Sequence, residues 1–246
     1  MVTNQTYTVT VLLDVNERQD VDDRAESRSY IVADRESSQA VIIDAVIENV
    51  ERDVRILKEL GLTLLFAVET HVHADHITGA SLLKDRTGAQ IVYGGGAANT
   101  VIGADLFLPD GQELRFGRSA LNALATPGHT DGCTSYVLPG AVFTGDTLFI
   151  RGNGRTDLQG GSAATLFESV RRTLFALPDD TVIYPGHDYQ GRISSTIGEE
   201  KRFNERLNLS IDKDSFVELM NRRHQPRPAK IDIAIPANLR AGRVAR

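Results

Sequence analysis

Polar and apolar side chains alternate along residues 7–14 (YTVTVLLD), the period of a half-buried β-strand. The next stretch, residues 16–29, is polar and densely charged and reads as a surface loop. SYIVAD and QAVIIDAV, separated by RESS, read as the two strands of a hairpin. Val50, Val54, Leu57 and Leu60 recur at helical spacing, which predicts a helix over about 48–60 with Gly61 as its stop. LTLLFAVET is apolar nearly throughout, as a buried strand is, and it runs directly into THVHADH.

The pattern continues with a short helix over ITGASLLKDRTG and a strand over AQIVYGG. Residues 105–117 (DLFLPDGQELRFG) read as a hairpin turning at Pro109-Asp110-Gly111. LNALATPGHT is a strand ending in a histidine, and SYVLPGAVFTGD a hairpin whose second strand ends in Asp146. Ser162 is placed to cap a helix near 162–176, with Leu166, Val170 and Leu174 on one face. TVIYPGHD is a strand ending in His187. The chain then reads as helical to about 224, and PRPAKIDIAIPAN as extended. No repeat of fixed period and no low-complexity tract is present.

Four strands therefore finish at a metal-ligand residue type: His71, His129, Asp146 and His187. Strand ends on one edge of a sheet converge in space though distant in sequence, and a rigid sheet is a common support for functional loops. Gly128, Gly145 and Gly186 stand immediately before the last three and permit close backbone approach.

Composition narrows the partners. The chain has 246 residues, 41% of them apolar, enough for one large α/β domain or two small ones. Its net charge of -6 gives no reason to expect nucleic acid or an acidic membrane surface. Residues 1–189 carry 15 Lys and Arg against 26 Asp and Glu, whereas residues 190–246 carry 12 against 7. That basic C-terminal stretch either faces an anionic substrate or is a solvated helical surface. Cys133 is the only cysteine, so no internal disulfide forms, which fits a reducing compartment. No apolar run is long enough to span a membrane. The N-terminus lacks a basic start followed by an apolar stretch, so no signal peptide is expected and a cytoplasmic location is the default.

Of six histidines, five fall at these strand ends: His71, His73, His76, His129 and His187. The sixth, His224 in NRRHQPRP, reads as a surface residue. Three imidazoles within six residues repel one another when protonated, and a metal ion offsets that cost by taking neutral ring nitrogen as ligand. With Asp75 and Asp146 the chain offers seven candidate ligands, enough for one ion or two. Imidazole and carboxylate without thiolate suit zinc, iron or manganese. Cys133 reads as a small buried residue.

In this order and these strand contexts, THVHADH, PGHT, FTGD and YPGH resemble the metallo-β-lactamase superfamily, along most of the chain. The resemblance implies an α/β fold, the αββα sandwich: two mixed β-sheets face to face, helices outside, metal at one edge. A single domain over 1–246 follows, with a helical and extended C-terminal segment over about 190–246. HADHITGA, IRGNGRTD, YPGHDYQGR and IDIAIPANLR are further similar to the persulfide dioxygenases, the ETHE1-type sulfur dioxygenases.

That resemblance implies one non-haem Fe(II) per chain, with O2 and glutathione persulfide as substrates and sulfite and glutathione as products. Carried over residue by residue, it makes His71, His129 and Asp146 the iron ligands and catalytic centre. His73, Asp75, His76 and His187 then hold those ligands through hydrogen bonds, or line a vacant second metal position. Arg155, Tyr189 and Asn238 match positions that contact or lie near glutathione, with Arg151 and Arg192 as further cations. The resemblance also implies a homodimer. Two departures stand out: a longer polar run over residues 16–29, and Asn153 and Ala241 where animal-like members carry cysteine. The alternative is a glyoxalase-II-like hydrolase with two metals and a bridging hydroxide acting on thiolesters. A third reading is a non-catalytic metal-binding module, against which the open, carboxylate-containing ligand set argues.

Overall fold

The computed structural model describes residues 6–15 and 26–243. Most of the polar run expected as a surface loop, residues 16–25, lies outside the described residues. Residues 26–29 depart from that expectation. They open a long strand that pairs with its predecessor from Glu26 onward, so Ser27, Arg28 and Ser29 are buried rather than solvated.

One sheet gathers the first half of the chain. Its strands are β1 (Tyr7–Val15), β2 (Glu26–Asp34), β3 (Gln39–Ile43), β4 (Thr63–Glu69), β5 (Gln90–Gly94) and β6 (Leu106–Leu108), side by side in that order. β1, β2 and β3 run antiparallel to one another, and β3 to β6 are parallel. Helices α1 (Val50–Glu59) and α2 (Ala80–Thr87) are the crossovers that parallel pairing requires. The other sheet holds β7 (Glu113–Phe116), β8 (Ser119–Ala125), β9 (Thr134–Leu138), β10 (Ala141–Gly145), β11 (Val182–Pro185) and the short β12 (Ser195–Thr196). α3 (Ala163–Glu168) continues through a wide turn and a tight one to Ala176, as one helical stretch capped by Ser162. α4 (Ile197–Phe203), α5 (Lys213–Asn221) and α6 (Ile231–Asn238) complete the chain.

Strand alternation sorts the side chains into three layers. Tyr30, Val32, Val41, Ile43, Val68 and Val92 face inward and meet Phe116, Leu121, Tyr136 and Phe143 of the other sheet. Ile31, Ala33, Ala40 and Ile42 face outward and pack against Val50 and Leu57 of α1 and Leu83 of α2. Val142 and Ile183 face the opposite exterior, under Leu166, Val170, Leu174, Phe216 and Met220. Two sheets between helices are the αββα sandwich.

The stretch expected to be helical to about 224 is helical only in α4 and α5, with no helix over 188–194 and β12 at Ser195–Thr196. Two further expectations fail for physical reasons. Residues 105–117 form no hairpin: β6 pairs with β5 and β7 with β8, so the turn at Pro109–Gly111 carries the chain from one sheet to the other. The local pattern of two strands and a turn is the same in either case. The segment expected as extended becomes α6 despite Pro236. Burial of Ile231, Ala234, Ala237 and Asn238 on one face outweighs the backbone hydrogen bond that proline removes.

Two buried groups give direct tests. Asp34 ends β2 and ties the two sheets together, accepting from the Ser37 amide at 2.8 Å, the Ser37 hydroxyl at 2.7 Å and the Ser119 hydroxyl at 2.9 Å. Burial opposes its ionisation, but these hydrogen bonds prevail and lower its pKa to about 2. A depressed carboxyl pKa contributes stability that is present above the ordinary value of 3.8 and is lost as pH falls toward 2. Asp34→Asn is expected to flatten the fall in melting temperature across that window; an unchanged acid limb would contradict the assignment. Cys133, between β8 and β9, is 4% exposed and accepts from the Thr130 amide at 3.2 Å. Burial pushes its thiol up to about 12, so iodoacetamide is expected to label it only after denaturation. Rapid labelling of the native protein would show the site to be open.

Candidate metal centre

β4 ends one residue before Thr70-His71, β8 leads through Thr126-Pro127-Gly128 to His129, β10 ends at Gly145-Asp146 and β11 leads through Gly186 to His187. The first comes from one sheet and the others from its partner, and all meet at the same edge of the sandwich. Ligand atoms of His71, His129 and Asp146 lie within 4.8 Å of one another, and all three residues are buried. Glycine allows this crowding. A Cβ on Gly154 would sit 2.3 Å from the Asp146 carbonyl oxygen, and one on Gly186 2.4 Å from Asp146 Oδ1.

Hydrogen bonds fix how each ring presents itself. Asp44, in a left-handed backbone conformation (φ 54°) just after β3, accepts from the Thr70 amide at 2.7 Å and the Thr70 hydroxyl at 2.8 Å. With its only hydrogen given to Asp44, the Thr70 hydroxyl accepts from His71 Nδ1 at 2.9 Å. His129 Nδ1 donates to the Arg155 carbonyl at 2.7 Å. Both rings are therefore protonated at Nδ1 and turn an Nε2 lone pair inward. His129 Nε2 lies 3.6 Å from Asp146 Oδ2. Burial, then the adjacent His73 ring, holds His71 well below the usual imidazole pKa, keeping it neutral. Burial opposes charge on Asp146, but His187 more than compensates and holds its carboxyl below the usual carboxylate range.

The remaining ligand types are partly occupied with one another; ligand atoms of His73, Asp75 and His76 also lie within 4.8 Å of one another, and His73 Nδ1 and His76 Nε2 are buried without a hydrogen-bond partner. His187 places Nδ1 2.9 Å from Asp146 Oδ1 and Nε2 3.2 Å from Asp75 Oδ2, so both ring nitrogens face carboxylates. His76 Nδ1 bonds the same Asp75 oxygen at 3.0 Å, and Ser27 of β2 donates to it at 3.1 Å. His73 turns Nε2 away from the centre, toward Asp44 at 3.1 Å and Glu69 at 3.3 Å.

A cavity of about 380 Å³ opens onto the centre, lined by His129, Asp146 and His187 together with residues from the 149–159 and 223–228 segments. Tyr189 lies in its wall, 60% exposed, its ring stacked on His187 at 6.0 Å. Arg155 also lines it, but its guanidinium is engaged by Asp157 at 2.7 and 2.8 Å and by the Pro226 carbonyl at 2.7 Å. Arg151 is held by Glu199 and Glu200. Arg192 donates to the Ile150 carbonyl at 3.2 Å. Asn238 does not line the cavity. It is fully buried behind the histidine loop, accepts from the Thr78 amide at 2.9 Å and donates to the His73 and His76 carbonyls at 2.8 Å each. His224 is exposed.

Sequence reasoning missed Asp44, Ser27 and Arg206. Arg206 lines the cavity and donates to the Asn153 carbonyl oxygen at 3.2 Å and to its side-chain oxygen at 3.4 Å, with no carboxylate hydrogen-bonded to it among the described residues. Burial and the neighbouring Arg223 both lower its pKa. The excess of positive charge in residues 190–246 was the available signal, but it does not say which arginines turn inward.

Residues 23–187 match the metallo-beta-lactamase superfamily. The human mitochondrial persulfide dioxygenase ETHE1 is 50% identical over 219 residues, 87% of this chain and 84% of that protein. A hydroxyacylglutathione hydrolase from Brucella anthropi is 40% identical over 168 residues, 68% of this chain and 63% of its own length. The crystal structure of ETHE1 from Myxococcus xanthus superposes with a TM-score of 0.85 at 44% identity, covering 94% of this chain and 100% of that one. Two sheets, a histidine-rich edge and these similarities agree: the chain belongs to the metallo-beta-lactamase superfamily and, within it, to the persulfide dioxygenases.

Proposed function

We propose that this enzyme binds one Fe(II) through His71, His129 and Asp146, and that it oxidises glutathione persulfide with O2 and water to sulfite and glutathione. The observation that carries the reading is the asymmetry of the ligand set. His71, His129 and Asp146 bring ligand atoms within 4.8 Å of one another beside the cavity; His73, Asp75 and His76 do so as well, but both nitrogens of His187 already face carboxylates. Two imidazoles and one carboxylate are the donor set of non-haem Fe(II) oxygenases, which leaves further positions for two reactants. Ferrous ion supplies the electron transfer that lets O2 react with a sulfur anion.

The chain's own groups supply position and surroundings. His187 orients Asp146 through Oδ1 and leaves Oδ2 to the centre. Thr70 and the Arg155 carbonyl hold the two imidazoles in the ligating tautomer. Phe149, Leu158 and Ala74 contribute apolar lining to the cavity. Arg206 and Arg223 are suited to the two carboxylates of glutathione, since Arg binds carboxylate through parallel hydrogen bonds. Arg155, already paired with Asp157, contributes by closing the wall and, with Tyr189, by shaping it. The single buried thiol is compatible with the cytoplasm, and no helix among the described residues is long and apolar enough to cross a membrane.

Purified protein is expected to hold about one iron per chain and to consume O2 with glutathione persulfide, and His129→Ala to abolish both. Two zinc ions per chain with cleavage of S-lactoylglutathione would instead establish the hydrolase. Arg206→Ala is expected to raise KM about tenfold or more while kcat and iron content hold, the pattern of a lost charge-assisted contact. An unchanged KM would remove Arg206 from the substrate site.

A further inference from the structure

β2 brings to the site a side chain that ligand binding does not use. Arg28 is 2% exposed, the bulkiest fully buried side chain among the described residues. A guanidinium taken out of water is costly unless its charge and donors are matched. Arg28 interacts with Tyr30 of the same strand and its Nε has no hydrogen-bond partner, but its ion pair and its carbonyl contacts lie in one short, irregular segment. It pairs with Asp188 at 3.5 Å and donates to the Ile193 carbonyl at 3.0 Å and to the Arg192 carbonyl. Its amide donates to the Gly186 carbonyl at 2.9 Å. Asp188 in turn accepts from the amides of Gln190 at 3.0 Å and Arg192 at 2.7 Å, curling the segment around the ion pair.

That segment has no strand or helix pairing over residues 188–194, and it carries Tyr189 and Gln190 into the cavity wall. Besides the Arg192 side chain's bond to the Ile150 carbonyl, this charge and this fork of donors tie the segment to the fold. A lysine keeps the charge but cannot reach two carbonyls and a carboxylate with a planar fork. We propose that Arg28 is a positioning residue for the substrate: it clamps the 188–193 segment so that the Tyr189 ring stands parallel to His187 in the cavity wall. The inference rests on the reading of that cavity as the substrate site.

The test is a double-mutant cycle on the iron-loaded enzyme. Arg28→Met is expected to raise KM for glutathione persulfide about tenfold while kcat and iron content stay within about twofold, with Arg28→Lys recovering part of the loss. In a Tyr189→Ala background Arg28→Met should add nothing further, because both changes remove the same placement. Independently of any substrate, chymotrypsin should cut the folded Arg28→Met protein at Tyr189 faster than the parent. Should Arg28→Met not fold, Asp188→Asn loosens the clamp from its other end and is expected to give the same pattern. Additive effects of the two changes on KM, unchanged cleavage at Tyr189, or a loss confined to kcat and iron would overturn the proposal. If the parent enzyme does not turn over glutathione persulfide at all, the functional reading fails, and the chymotrypsin comparison still decides whether the clamp exists.

Discussion

Two buried imidazoles and a carboxylate converge on one point only if the far side of each is bound to something that does not move. His71 leans on Thr70, which leans on Asp44; His129 leans on the Arg155 carbonyl; Asp146 leans on His187. Each far-side bond selects a protonation state as well as an orientation, so the lone pairs face inward without relying on the ion to arrange them. Asp44 carries particular weight, since it holds a left-handed backbone conformation and receives bonds from both the amide and the hydroxyl of Thr70.

The sandwich makes these supports rigid. Each ligand stands at or just beyond the end of a strand whose flanks are packed, and the two sheets are joined through a shared apolar layer. The 150–157 loop lies directly on Asp146 and His129 because Gly154 has no side chain to prevent it. From behind, Asn238 of α6 binds two carbonyls of the histidine loop, which links the C-terminal helix to the centre without touching the cavity.

Chemistry follows from what remains available. His71, His129 and Asp146 converge, and beside them hydrogen bonds link Asp75, His76, His187 and Ser27, while His76 Nε2 and His73 Nδ1 have no hydrogen-bond partner. Around the centre stand arginines from the 150–157 loop and the C-terminal stretch: Arg151, Arg155 and Arg227 are tied by carboxylates, and Arg206 is held by Asn153 instead.

Much of the site was legible in the sequence because metal chemistry demands particular residue types at strand ends, and five of six histidines stand there. The strands themselves were legible from their periodicity. What the sequence withheld is pairing: whether β7 folds back on β6 or crosses to the other sheet is decided by contacts between residues far apart in the chain. The same limit hid the burial of Ser27 and Arg28, whose polar character reads as solvent exposure until Asp75 and the 188–193 segment are brought against them. It also turned Asn238 from a pocket residue into a brace. The sequence by itself determined which side chains are available for the chemistry, since that follows from composition and local period. Only the tertiary structure decided which of them share one point and which neutralise each other, because a hydrogen bond depends on position in space and not on distance along the chain.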